Sequence, residues 1–375
     1  MQGTPWSSRP LSKRRSAHAV LASILCAAWA CSPKPPVASR AATDRRGSTL
    51  ERTQASRLAT APAAPAQRWA IAKLSEESNV YQIELDGDYV YWAECEHLRR
   101  AKRTSPVAEL LYTAADTCLS AFALHDGFVY FAERIDAAQA GRATQGSRLL
   151  RQSTRGGPVE SVLVSPVAIQ GLATYGKGLL MLQPTGLSLL IAVDKPPKQL
   201  LLLSNIELAQ GLQVHGDTAY FIDETPVGAG NRQRLIEVSL DQGTATTLSE
   251  SCHRAAIGER AIYCADHQLE RTTALSASDI STPPELIVNH RLDKNPALRG
   301  TPYQIAIRDN SLFLLLIAAG TGVSHVIRTD LGSKETRELA SRLRGAFALA
   351  VDERSVCWGD QREIECRETP GPDAR

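Results

Sequence analysis

Five acidic side chains recur at the ends of similar apolar runs: Glu94, Glu133, Asp223, Asp266 and Asp360. Brought onto one face, such carboxylates could hold a hard cation. A pair of them about 5–10 Å apart across a cleft could hydrolyse a glycosidic bond. The simpler role is structural, because a buried carboxylate at a strand end must satisfy backbone donors or a neighbouring arginine. Seven histidines lie beyond the first thirty residues: His97, His125, His215, His253, His267, His290 and His325. His125 in "ALHDG" and His215 in "QVHGD" occupy equivalent turn positions, which favours a structural part over a general base.

No nucleophile elbow, zinc-protease helix, phosphate loop or dinucleotide fingerprint occurs. Ser324 and His325 adjoin in "GTGVSH", but neighbours on a strand point to opposite sides and make a poor catalytic pair. No catalytic residue, cofactor or metal site is therefore assigned. Two long, Gly-rich, basic connections stand out instead, at residues 137–147 ("AAQAGRATQGS") and 225–233 ("TPVGAGNRQ"). Arg142, Arg148, Arg232 and Arg234, in or beside them, are the candidate binding residues, since loops on a rigid frame commonly carry recognition.

Those positions need a frame. The 375 residues carry 42 basic and 40 acidic side chains, for a formal charge of +2. No run of five or six like charges appears, which argues against a nucleic-acid partner. Near the start, Lys13, Arg14 and Arg15 precede the apolar run "AVLASILCAAWA". A basic flank, a short apolar stretch and small residues before a cut make an export signal, and the run is too short for a membrane span of roughly 20 residues. Residues 1–31 are read as that signal. Residues 32–67, rich in Ala, Pro, Ser and Thr, lack the apolar surface to order themselves and read as a tether. The folded domain spans 68–369, with a tail at 370–375.

Within the domain the acidic runs repeat. "GDYVYWAE", "GFVYFAE", "GDTAYFID", "ERAIYCAD" and "ERSVCWGD" share a turn residue or charge, alternating apolar positions, an aromatic or cysteine pair, and an acid. "GKGLLMLQ" and "DNSLFLLL" keep the pattern without the acid. The equivalent positions are Tyr91, Tyr130, Leu180, Tyr220, Tyr263, Phe313 and Cys357. A period of about 40–50 residues with alternation of two predicts an all-β propeller of four-stranded blades. Seven blades fit the count, with six as the alternative. The seventh supplies three strands, and "QRWAIAKLS" before the first blade is expected to pair there and close the ring.

Eight cysteines are present. Cys26 falls in the leader and Cys31 at its end, leaving an even six in an exported chain, which favours disulfides. The blade positions pair Cys357 with Cys366 and Cys252 with Cys264 across hairpins, and Cys95 with Cys118 between neighbouring blades.

The aromatic–aromatic–X–acid pattern, clearest in "YWAE" (Tyr91–Glu94) and "YFID" (Tyr220–Asp223), resembles the YWTD propellers of the low-density lipoprotein receptor type. With "LRRAKR" and "LLRQS" on third strands, it is more similar to uncharacterised bacterial envelope β-propeller lipoproteins of the myxobacterial type. "AWAC", ending at Cys31, resembles a lipobox, although Ala28 stands where that family has Leu. The resemblance implies lipidation at Cys31 and attachment to the outer membrane, with a periplasmic or secreted form as the alternative. The expected function is a monomeric binding or scaffold module for a protein or glycan, touching membrane only through its anchor. The alternative is a lyase or hydrolase with residues converging on the central funnel.

Overall fold

A computed structural model describes residues 68–369, apart from 75–78, 116, 136–145, 192–197, 205, 207, 228–229, 277–281, 292–298 and 319–320. The signal, tether, Cys31 and Arg142 lie outside the described residues. The described residues form 28 strands and no helix. They assemble as seven four-stranded antiparallel sheets, the blades of a β-propeller.

Blade one shows the plan. Its strands are β2 (Gln82–Asp86), β3 (Tyr89–Ala93), β4 (His97–Lys102) and β5 (Ala108–Thr113), from the axis outward. Blades two to six repeat it in chain order. The seventh is built from β26 (Ala348–Val351), β27 (Ser355–Gly359) and β28 (Glu363–Glu368), with β1 (Arg68–Lys73) as its outer strand. Trp69 pairs with Cys366 in that last ladder. The expected closure by the N-terminal strand is thus the one adopted, and the six-blade alternative falls away.

The seven repeat positions all lie on second strands, and none is more than 9% exposed. Successive side chains there point to opposite sheet faces, so one strand feeds two blade interfaces. Trp92 packs between blades seven and one with Ile71, Ala348 and Ile364. Tyr91 packs between blades one and two with Phe122 and Phe131. Such apolar layers, removed from water between adjacent sheets, hold the ring together.

Tight turns connect first and second strands. In blade two, β6 (Leu119–His125) meets β7 (Phe128–Ile135) through Asp126 and Gly127. Both have positive φ, +48° and +75°, as the primed two-residue hairpin turn requires. His125 thereby sits at the turn end of the strand, as does His215, the last residue of β14 (Ala209–His215).

The three cysteine pairs form as disulfides. Cys95–Cys118 joins blade one to blade two with Cα atoms 4.4 Å apart. Cys252–Cys264 lies within blade five at 5.4 Å. Cys357 faces Cys366 across the β27–β28 pair at 4.1 Å. Disulfides of this number fit an oxidising, exported setting.

One expected loop is not a loop. Residues 225–227 and 230–233 continue the hairpin of blade four, with β15 (Thr218–Val227) and β16 (Gly230–Ser239) paired as far as Val227 and Gly230. Gly and Pro there read as turn signals in the sequence. The inner strand β14 ends its pairing where Ala209 meets Asp223, so beyond that point the hairpin is two-stranded. Pro226, paired only with Asn231, sits on a free edge where a missing N–H costs nothing.

Candidate functional site at the channel mouth

The repeating acids are committed to the frame. Glu94 accepts from Trp92 Nε1 at 3.0 Å and meets Arg99 at 3.2 Å. Glu133, 1% exposed, accepts from Arg148 at 2.5 Å and from the Tyr112 hydroxyl at 3.1 Å. Arg234 donates to Asp223. Asp266 caps the Gln268 and Leu269 amides at 3.0 Å. Asp360 caps those of Arg362 and Glu363 at 2.8 and 3.0 Å. Among the described residues no group of three or more His, Cys, Asp or Glu could hold a metal ion.

Two of the candidate binding residues, Arg148 and Arg234, take part in these contacts. Both lie on third strands and pair with buried carboxylates of the preceding strand. Arg232 lies on β16 rather than in a loop.

In each antiparallel blade, the start of the inner strand and the end of the second emerge on one face. The same face carries the connections from second to third strands and from blade to blade. There the inner strands of all seven blades surround a cavity of about 370 Å³, the mouth of the central channel. Its wall includes Gln82, Gln170, Gln210, Gln213 and Gln304, together with Arg254, Tyr303 and Phe347. The turn histidines His125 and His215 end at the other face.

Several glutamines bond to the next blade. Gln82 accepts from the Phe122 amide at 3.1 Å and donates to the Phe122 carbonyl at 2.7 Å. Gln170 accepts from the Ala209 amide at 3.1 Å. Gln213 donates to the Ala255 carbonyl at 2.6 Å. The inner-strand positions opposite the seven repeat residues are Glu84, Ala123, Ala173, Gln213, Ala256, Ala306 and Ala350. Small residues suit the crowded axis; the two large exceptions each reach across to the neighbouring strand.

Glu84 accepts from Gln82 Nε2 at 2.8 Å and from the Leu124 amide at 3.1 Å. Burial raises its pKa from 4.5 to about 8, against the opposing pull of those hydrogen bonds. The native state therefore holds this proton more tightly than the unfolded chain. Its stabilising contribution is complete below pH 4.5 and is lost as pH rises to about 8. A Glu84→Gln variant offers one acceptor where the carboxyl offers two, and Gln82 is fixed by Phe122. It should lose about 1 kcal/mol at pH 5 and gain stability over the parent above pH 8. Thermal unfolding at both pH values checks this; a pH-independent difference would refute it.

The other side of the mouth carries a different group. Arg254 begins β18 (Arg254–Ile257) in blade five, and Tyr303 lies near the start of β22 (Thr301–Arg308) in blade six. The Arg254 guanidinium sits 5.5 Å from the Tyr303 ring centroid, and its Nη1 donates to the His253 carbonyl at 2.8 Å. Burial pushes its pKa down, partly offset by Tyr303 and Glu224. Glu224 itself is occupied, accepting from Gln233 at 2.7 Å and from Gln210. Arg148 and Arg234 each have a carboxylate within ion-pair distance; Arg254 has none among the described residues.

Behind Tyr303 the rings of His253 and His267 stack with centroids 4.4 Å apart, and His267 lies nearly parallel to Tyr303 at 6.3 Å. Phe347 meets Tyr303 edge-on at 5.5 Å. Burial, with the charges of His253 and Arg254, lowers the His267 pKa to about 4, and burial lowers that of His253 too. Both rings are neutral at pH 7. The His267 amide donates to His253 Nδ1 at 3.4 Å, so His253 carries its proton on Nε2. The cluster can bind and orient a ligand. Among the described residues it offers no nucleophile held by a base.

Sequence reasoning missed Arg254, which stands in "CHRAAI" without a motif. It named His253 and His267 without joining them.

No family model matches the chain, and no curated protein matches it in sequence. Solved structures match its fold. The extracellular domain of the BT4673 system of B. thetaiotaomicron is similar with a TM-score of 0.57 and 12% identity, over 80% of this chain and 39% of that one. PorZ, a surface component of the type-IX secretion system of Porphyromonas gingivalis, gives 0.53 and 11%, over 81% and 39%. The tricorn protease gives 0.54 and 10%, over 80% and 33%. The chain thus spans between a third and two fifths of those larger proteins. At these identities the likeness is one of fold.

Proposed function

We propose that this chain is an exported propeller, tethered to the bacterial envelope by a lipid on Cys31, that binds a glycan at the channel mouth. Residues 1–31 serve as its signal, 32–67 as its tether and 68–369 as its single binding domain. Three disulfides support an oxidising location, and the leader and lipobox-like "AWAC" support the anchor. Propellers in a bacterial surface component and in an extracellular domain have a similar fold. The resemblance to myxobacterial-type envelope lipoproteins with YWTD-like blades belongs to the same reading.

The observation that carries the function is the composition of the mouth. Glutamine amides, three aromatic rings and one arginine are among the side chains that surround about 370 Å³. That volume suits one or two sugar rings, whereas a stable protein interface needs roughly 800 Å² from each partner. Binding is favoured over catalysis because the acids are held by the frame. A photo-crosslinking residue placed at Phe347 should capture glycan from intact envelopes, while one placed at His215 on the opposite face should not. Equal capture at both positions, or capture of protein alone at Phe347, would overturn the reading.

A further inference from the structure

The geometry points to a carboxylate as the group that the mouth recognises, held by Arg254 on a ligand whose body lies against Tyr303 and Phe347. The inference rests on the glycan-binding reading and narrows it to acidic ligands. A buried cation needs a compensating charge, and the two arginines classed as buried among the described residues, Arg100 and Arg103, each have one. Arg103 is paired with Asp352 and Arg100 with Glu109. Arg254 has a backbone carbonyl and a tyrosine. Glu224, the acid whose charge acts on it, has Oε1 bonded to Gln210 and Gln233.

The missing partner has a definable chemistry. A guanidinium fork matches a planar carboxylate in a two-point bond. The flanking histidines are neutral at pH 7, so Arg254 is the cation that the mouth itself presents. Glu224 nearby opposes a second negative charge on the ligand. A monoanion therefore fits better than a phosphate dianion. Tyr303 and Phe347 line the cavity and offer aromatic surface to an apolar or sugar body. Gln304 beside them can serve hydroxyl groups. Neither ring of the histidine stack lines the cavity, so their task is to hold Tyr303 and the His253 carbonyl in place.

Two sources could bring this carboxylate, an acidic sugar or an aromatic acid. Titration calorimetry of the full chain at pH 7 with glucuronate, glucose, benzoate and inorganic phosphate separates them. Glucuronate should bind at least tenfold more tightly than glucose and phosphate, and Arg254→Gln should lose tenfold or more while keeping the parental unfolding temperature. Tyr303→Leu gives a second readout, lowering glucuronate affinity without removing charge. Equal binding of glucose and glucuronate would leave a glycan site and overturn the carboxylate. Benzoate binding without glucuronate would keep the carboxylate and overturn the glycan. No carboxylate binding, or binding unchanged in Arg254→Gln, would overturn the inference outright.

Discussion

Deleting residues 68–73 should destabilise the domain by roughly 5 kcal/mol, the sum of one large buried side chain, lost interface contacts and a ladder of hydrogen bonds. Ile71 is fully buried and Ala72 is 2% exposed. Both belong to the layer that joins the last blade to the first. The deletion also leaves Glu365 without Arg68 and frees the edge of β28 for pairing with another chain. The expected result is a large drop in the urea midpoint with self-association. Ile71→Ala, a milder change, should cost about 3 kcal/mol. A midpoint unaffected by the deletion would show that the ring does not close through β1. Arg103 bonded to Asp352 and Ser355, and Arg354 bonded to Asp88, also bind blade one to blade seven, so partial structure should survive.

Trp92→Ala should cost about 4 kcal/mol, whereas Tyr89→Ala should cost under about 1 kcal/mol. The two residues are three positions apart in the same aromatic stretch. Trp92 is 0% exposed and its indole N–H is bonded to Glu94. Tyr89 is only half-buried, with Arg100 over its ring at 4.9 Å. Chemical denaturation of both variants measures the contrast. Similar losses would mean that the stretch packs otherwise. Neither change should affect ligand binding, because neither residue lines the mouth.

The architecture was legible because each blade writes its own pattern locally. The period of the second strands, the orphan strand before blade one and the hairpin cysteines all depend on near neighbours in sequence. The acids were legible for the same reason, since Glu133 meets Arg148 across one hairpin. Residues 225–233 misled because Pro and Gly mark turns only where a strand has neighbours on both sides. The mouth was illegible because its parts come from separate blades. Arg254, Tyr303 and Phe347 are brought together by ring closure, and no spacing in the chain announces them. One signal was present but weak. Glu84 and Gln213 replace alanine at repeat-equivalent positions, which marks those inner strands as different.

The central claim is a division of labour, with the repeating acids holding the frame and Arg254 holding the ligand. Comparing Glu133→Gln with Arg254→Gln tests it most directly, with glucuronate affinity and unfolding free energy measured on each. Glu133→Gln should lose about 2 kcal/mol of stability, since it weakens buried charge-assisted bonds, and should bind as the parent does. Arg254→Gln should keep its stability and lose at least tenfold in affinity. If Glu133→Gln abolished binding at unchanged stability, or Arg254→Gln unfolded the domain while affinity per folded molecule held, the account would be contradicted.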